Sequence, residues 1–466
     1  RLKIGVWQFL PTGPTAYGDS PYQPLSSFAG NPMLIDTGWL LEHGFVREAE
    51  VAALRALPRD TVDYGSLIPA KNALLAAATE RFSQQASAEL KAERDGWFEA
   101  NDAAWLHDYA LYRILKTRHG ERSWGEWEAP YGHRDPRCLR YIEALKAREL
   151  DAIKTGQFLL HHQWQALRAY AAEHNVLLFG DMPIYIAFDS ADAWANPEIL
   201  QLDEQRRPVS VAGVPPDYFS EEGQLWGNPL YDWERHARGG YAWWIERLRH
   251  AMGMMDMVRI DHFRGFEAYW SVPADAPSAK AGRWVPGPAD GLFKSINMTL
   301  GDIPIIAEDL GEITPEVDAL RERYRIPGMH VLQFEASAPD FDAGAIGPHS
   351  VCYTGTHDND TTVGWFNGGP GDTRTAADIE AMQRAVLAHT GGRADTVHLD
   401  LTRLAFSMRS RLAIVPMQDF LGLGSEARMN TPGKPGGNWR WRMLPEQMTA
   451  PIADAIAGLV AESGRG

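Results

Sequence analysis

The chain has 466 residues, 45% hydrophobic and 23% charged, with 45 Lys+Arg against 61 Asp+Glu and a net charge of −16. That balance repels phosphate backbones and anionic lipid, so neither nucleic acid nor a membrane is an expected partner, while a neutral substrate such as a sugar is compatible. Cys138 and Cys352 are too few for a disulfide framework or a cysteine metal site, the first residues carry no signal pattern, and no run approaches ~18 apolar residues; a cytoplasmic protein is expected.

Seven short apolar runs, rich in β-branched and aromatic residues, read as strands at residues 3–9, 175–179, 254–260, 303–307, 329–334, 350–354 and 412–415. Their continuous rather than alternating apolar character suits strands buried on both faces, as in a parallel sheet. Helical periodicity fills most of the gaps. Asn101 is placed to cap a helix carrying Trp105, Tyr109 and Tyr112 on one face, and Thr314-Pro315-Glu316 opens another, with Thr as cap and Pro at the first position. Strands alternating with helices predict an α/β fold, a (β/α)8 barrel over residues 1–16 and 156–466; an open seven-strand sheet is the alternative. A closed barrel has eight strands, so a leading strand and helix are expected to be missing from this sequence. Two insertions are expected, a mostly helical one over residues 17–155 and a Pro/Gly/aromatic loop over residues 189–240 that reads as a lid over the barrel mouth. The 17 Trp serve either a large core or flat platforms for sugar faces.

The strands run into polar side chains: Gly180-Asp181, Arg259-Ile260-Asp261, Ala307-Glu308-Asp309, Gly355-Thr356-His357-Asp358 and, after the last strand, Gln418-Asp419. Barrel enzymes draw their catalytic groups from the C-terminal ends of several strands, so Asp181, Asp261, Glu308 and Asp358 on one rim read as a site, although any single strand-end Asp also suits a helix cap. Side chains alternate along a strand, which puts Arg259 and Asp261 on one face. A guanidinium there is expected to lower the pKa of Asp261 and keep it ionised, as a nucleophile requires; a purely structural Arg–Asp pair is the other reading. Glu308, in an enclosed mouth among carboxylates, is expected to have a raised pKa and to act as acid and then base, with Asp309 facing the opposite way. Asp358 is a candidate for hydrogen bonds to sugar hydroxyls and for stabilising oxocarbenium charge, with His357 touching substrate beside it. A metal at His357-Asp358-Asn359-Asp360 lacks partner spacing, and Gly422-Leu423-Gly424-Ser425-Glu426-Ala427 lacks the acid a dinucleotide loop needs.

Three segments, Arg259-Ile260-Asp261-His262-Phe263-Arg264-Gly265-Phe266, Ala307-Glu308-Asp309-Leu310-Gly311 and Thr354-Gly355-Thr356-His357-Asp358-Asn359-Asp360-Thr361, resemble motifs of glycoside hydrolase family 77 of the α-amylase clan, the 4-α-glucanotransferases or amylomaltases. The resemblance extends from Trp7-Gln8-Phe9-Leu10-Pro11 and Tyr17-Gly18-Asp19-Ser20-Pro21-Tyr22 to Ser425-Glu426-Ala427-Arg428-Met429-Asn430. It implies a retaining double displacement with Asp261 as nucleophile, Glu308 as acid/base and Asp358 as transition-state stabiliser. It further implies that Tyr22 stacks under the reacting sugar and that Ser20, Asp181, Arg259, His357 and Asn430 bind it. Asp217, Tyr218, Phe219, Gln224 and Trp226 are implied on the lid and acceptor side. The implied partners are α-1,4-glucans and maltooligosaccharides as donors and glucose or a maltooligosaccharide as acceptor, without metal or organic cofactor. Two further readings carry the same acids: an α-glucan hydrolase, and a glucan-binding protein that has lost catalysis.

Overall fold

A computed structural model of the chain describes residues 2–216, 221–369, 372–434 and 436–465. All seven expected strands form: β1 (Val6–Gln8), β2 (Leu177–Pro183), β5 (Met257–Asp261), β8 (Ile305–Ala307), β9 (Gly328–Val331), β10 (Ser350–Tyr353) and β11 (Leu412–Ile414). They are parallel, in the order β1-β2-β5-β8 and then β9-β10-β11, and the Ala307 amide donating to the Pro327 carbonyl at 2.9 Å joins the two runs. Phe179, Ile306, Met329, Val331, Val351 and Tyr353 meet in one interior cluster, with Val6, Met257, Leu412 and Ile414 packed against it. Side chains from every strand of the wall therefore face one another, which a flat open sheet cannot achieve and a curved barrel wall does. Burying a ring such as Phe179 contributes about 1.5–3 kcal/mol.

The helices that follow the strands, among them Ala242–Met254, Ala289–Leu300, Pro315–Arg323, Val397–Ser407 and Ala450–Ser463, pack on the outside of this wall. Between β1 and β2 the chain is helical, and Leu40, Phe45, Leu74, Ala78 and Phe82 there build a second core with Phe158, Leu159 and Leu160 of the helix Ala147–Glu173. Among the described residues no helix is long and apolar enough to cross a membrane.

Three local expectations are corrected. Asn101 does not cap a new helix: it ends Ala88–Asn101, donates to the Trp97 carbonyl and accepts from Trp105 Nε1, and the chain runs on through a wide π turn into His107–Arg118. Trp105, Tyr109 and Tyr112 are nonetheless all buried. Pro315 does open its helix, but the Thr314 side chain makes no capping bond. Residues 332–335 turn helical instead of extending β9.

A second, antiparallel sheet was not expected: β4 (Gln224–Pro229), β3 (Ser210–Val214), β6 (Ala268–Pro273) and β7 (Arg283–Pro286), in that order. β3 and β4 come so close that a Cβ on Gly213 would lie 2.4 Å from the Gln224 carbonyl oxygen, so only glycine fits. Trp124, Trp194 and Trp244 are fully buried, which answers the core reading for part of the tryptophan content.

Candidate active site

Register sets the site. In the parallel pair β2–β5, Asp181 lies opposite Arg259 and Pro183 opposite Asp261. Arg259 Nη1 reaches both oxygens of Asp181, at 2.9 and 2.7 Å, and Asp261 Oδ1 at 3.0 Å. Asp181 and Arg259 are buried, while Asp261 keeps 29% of its side chain accessible through the cleft.

Immediately after Asp261 the backbone enters the left-handed region at His262, φ 55° and ψ 48°. This is an unfavourable conformation for a residue with a Cβ, and it turns the His262 amide onto Glu308 Oε2 at 2.7 Å. Glu308 Oε1 accepts from the Leu310 amide at 2.9 Å. Asp309 faces the other way, as alternation requires: it accepts from the Met329 amide at 2.7 Å and pairs with Arg321 at 3.2 Å.

Asp181, Asp261 and Glu308 thus gather around the Arg259 guanidinium. Burial and mutual repulsion push the Asp261 and Glu308 carboxyls up, against the pull of Arg259. The expected rise at Glu308 is present. The expected lowering at Asp261 is not: Arg259 acts in that direction, but its charge is shared with Asp181, and desolvation outweighs what remains.

Across the cleft, Tyr22 donates its hydroxyl to Asp181 Oδ2 at 2.7 Å and stacks on His357, with ring centroids 4.8 Å apart. Its hydroxyl also lies 3.2 Å from His357 Nδ1. Burial lowers the His357 pKa. Ser20 accepts from the Tyr22 amide and so shapes the loop that presents the ring. Asp358 is about half exposed and is held by Asn430 Nδ2 at 2.6 Å. Asn359 and Asp360 turn inward, accepting from Thr356 and from Ser425, and among the described residues no group of three or more His, Cys, Asp or Glu is placed to hold a metal ion. Asp419 is a buried tie that accepts from Thr354 and Thr362, not a member of the rim.

Gln224 and Trp226 lie on β4, where Trp226 Nε1 donates to Gln224 Oε1 at 3.1 Å. The Trp226 ring stands edge-on to His262, 4.7 Å away, and this contact joins it to the Asp261 end of the cleft. Asp217, Tyr218 and Phe219 lie outside the described residues. Three neighbours were not anticipated: His262, Arg428, which donates to the Asp358 carbonyl at 2.7 Å, and Trp439, whose ring centroid is 5.8 Å from those of both Tyr22 and His357. No local pattern marks the last of these, which is placed by hydrogen bonds to Tyr64 and Met429.

The family model described as 4-alpha-glucanotransferase, glycoside hydrolase 77, matches residues 1–448. A 4-alpha-glucanotransferase of Thermus thermophilus is 48% identical over 459 residues, which is 95% of this chain and 88% of the relative. One of Synechocystis sp. is 42% identical over 467 residues, 99% of this chain and 90% of the relative. The solved amylomaltase of Streptococcus agalactiae in complex with acarbose superposes with a TM-score of 0.93 at 31% identity, covering 99% of this chain and 92% of that one. By the residues it shares, the seven-stranded parallel barrel wall it folds into and the length over which both hold, this chain belongs to glycoside hydrolase family 77, the 4-alpha-glucanotransferase family.

Proposed function

We propose that the chain transfers α-1,4-glucan segments from a maltooligosaccharide donor to the 4-hydroxyl of glucose or another glucan by a retaining double displacement. An Asp261 oxygen attacks the anomeric carbon, the bond from that carbon to the glycosidic oxygen breaks, and Glu308 gives its proton to the departing oxygen. The product is a glycosyl ester on Asp261. Glu308, now a carboxylate, takes the proton of the incoming 4-hydroxyl, whose oxygen attacks the same carbon and releases Asp261. The carrying observation is the Arg259 bridge, which fixes Asp181 and Asp261 beside the Glu308 carboxyl on one rim. A guanidinium 3.0 Å from Asp261 stabilises charge there, which suits Asp261 as the attacking carboxylate and Glu308 as the proton donor.

Tyr22 and His357 would support the sugar in the donor subsite, Asp181 and Arg259 would hold its hydroxyls, and Asp358 with Asn430 would meet the developing positive charge. Gln224 and Trp226, with Asp217, Tyr218 and Phe219, are assigned to the acceptor side. Residues 17–155 and 189–240 are read as insertions that wall the cleft, and the unbonded Cys138 and Cys352 are in keeping with a cytoplasmic setting. The hydrolase and binding-only readings are not favoured: the family is one of transferases, and a binder has no use for both Asp261 and Glu308. Purified protein given maltotriose alone tests the proposal, with products resolved by length. Longer maltooligosaccharides rising together with glucose are expected; only shorter sugars would establish hydrolysis instead.

A further inference from the structure

The far wall of the cleft is tied to a distant part of the chain. Asp358 is held by Asn430, and Arg428 reaches the Asp358 carbonyl through Nη2 and the Asn430 carbonyl through Nε, each at 2.7 Å. The Trp439 amide donates to the Met429 carbonyl at 2.7 Å, closing the loop that begins beside Asn430. Trp439 itself sits at φ 62°, a left-handed conformation that needs outside support in a residue with a bulky side chain.

That support comes from residues 59–64 of the helical stretch between β1 and β2. Tyr64 donates its hydroxyl to the Trp439 carbonyl at 2.6 Å. Thr61 pairs antiparallel with Trp441, the Val62 amide donates to the Arg440 carbonyl at 2.7 Å, and the Arg442 amide donates to the Asp60 carbonyl at 3.1 Å. Arg440 Nε returns to the Val62 carbonyl at 3.0 Å, and Arg59 pairs with Glu446 at 2.6 Å. Two chain segments 375 residues apart in sequence are stitched by backbone bonds that end at the residue touching Tyr22 and His357.

We infer that Tyr64 is a positioning residue for the transfer reaction, acting through Trp439 and the Met429–Asn430 junction to hold Asp358 where charge develops; this rests on the proposed function. A half-exposed carboxylate held by Asn430, with His357 Nε2 at a longer 3.5 Å, has alternative rotamers, and a group misplaced by a fraction of an ångström loses much of its effect on the transition state. The stitch restricts that freedom without touching substrate. A positioning role predicts a loss in kcat with little change in KM, because the contact is made good only as charge develops.

The test is a double-mutant cycle of Tyr64→Phe and Asn430→Ala, scored by glucose release from maltotriose, with thermal midpoints taken alongside. Tyr64→Phe is expected to lower kcat about fivefold, the effect of one lost hydrogen bond, with KM within twofold. In the Asn430→Ala background the same substitution should change kcat less than twofold, because the link it acts through is already cut. An equal loss in both backgrounds, or a single-variant loss below twofold, overturns the inference. Arg440→Met, which loses the Nε bond to Val62, is scored in the same way, so a folding defect in one variant does not decide the outcome. If the wild type releases no glucose from maltotriose, it is the transfer reading that has failed. The cycle is then scored on fluoride release from maltotriosyl fluoride, which requires only attack by Asp261 and its stabilisation.

Discussion

Arg259→Met keeps most of the side-chain length and removes the cation that bridges Asp181 and Asp261 beside Glu308. Removing one partner of a buried ion pair costs about 3–5 kcal/mol, since the charges left behind are uncompensated. The protein can avoid that cost by taking up protons, and the pull that Arg259 exerts against the upward push on Asp261 is lost. The sign follows directly: without the cation the Asp261 carboxyl titrates higher, less of it is ionised at pH 7, and the acid limb of activity moves to higher pH. About 4 kcal/mol expressed in the transition state is a loss of roughly a thousandfold in kcat. The assay is glucose release from maltotriose between pH 5 and 9, with far-ultraviolet circular dichroism to verify folding. Activity within tenfold of wild type with an unmoved acid limb would refute the reasoning, since Arg259 would then be a structural tie alone.

Three further substitutions separate structure from chemistry. Tyr22→Phe keeps the stack on His357 and loses the hydrogen bond to the buried Asp181, so kcat should fall at least about tenfold while the thermal midpoint holds, measured on the same substrate. Asp309→Asn breaks the tie to Arg321 next to Glu308; it should lower stability in urea by about 2–4 kcal/mol and leave kcat per folded molecule within threefold. Asp192 is buried, accepts from the Ser27 amide, and has its pKa raised from 3.8 to about 6 by desolvation. The folded state therefore holds a proton that the unfolded state has lost between about pH 4 and 6, and about 3 kcal/mol of stability disappears as pH rises through that window. Asp192→Asn should flatten this part of the urea-unfolding profile, and an unchanged slope would remove Asp192 as its source.

The barrel strands were legible because a strand buried on both faces needs an unbroken apolar run, and runs such as Ile303–Ala307 or Ser350–Tyr353 have few other uses. Strand alternation likewise separated Glu308 from Asp309 and joined Arg259 to Asp261. The antiparallel sheet was hidden because β3, Ser-Val-Ala-Gly-Val, is short and small-sided, and its glycine answers a carbonyl oxygen in β4 that no local pattern reveals. The direction of the Asp261 pKa escaped for a related reason. The cation two residues before it, Arg259, is visible in the sequence, whereas the burial that outweighs it, and the carboxylates that add to that burial from β2, from the end of β8 and from the turn after β10, are products of the fold. Trp439 was out of reach because its place depends on hydrogen bonds to Tyr64 and Met429, the first of them 375 residues away.

The claim on which the rest depends is that Asp261 becomes covalently attached to the donor sugar. Maltotriosyl fluoride loses its leaving group without acid assistance, so a Glu308→Gln variant should form the glycosyl ester and be unable to resolve it quickly. Acid quench, proteolysis and mass spectrometry of the peptide containing Asp261 read the result directly. Addition of one maltotriosyl group on Asp261 is the outcome this account predicts. Fluoride release with the sugar on another residue, or on none, would contradict it.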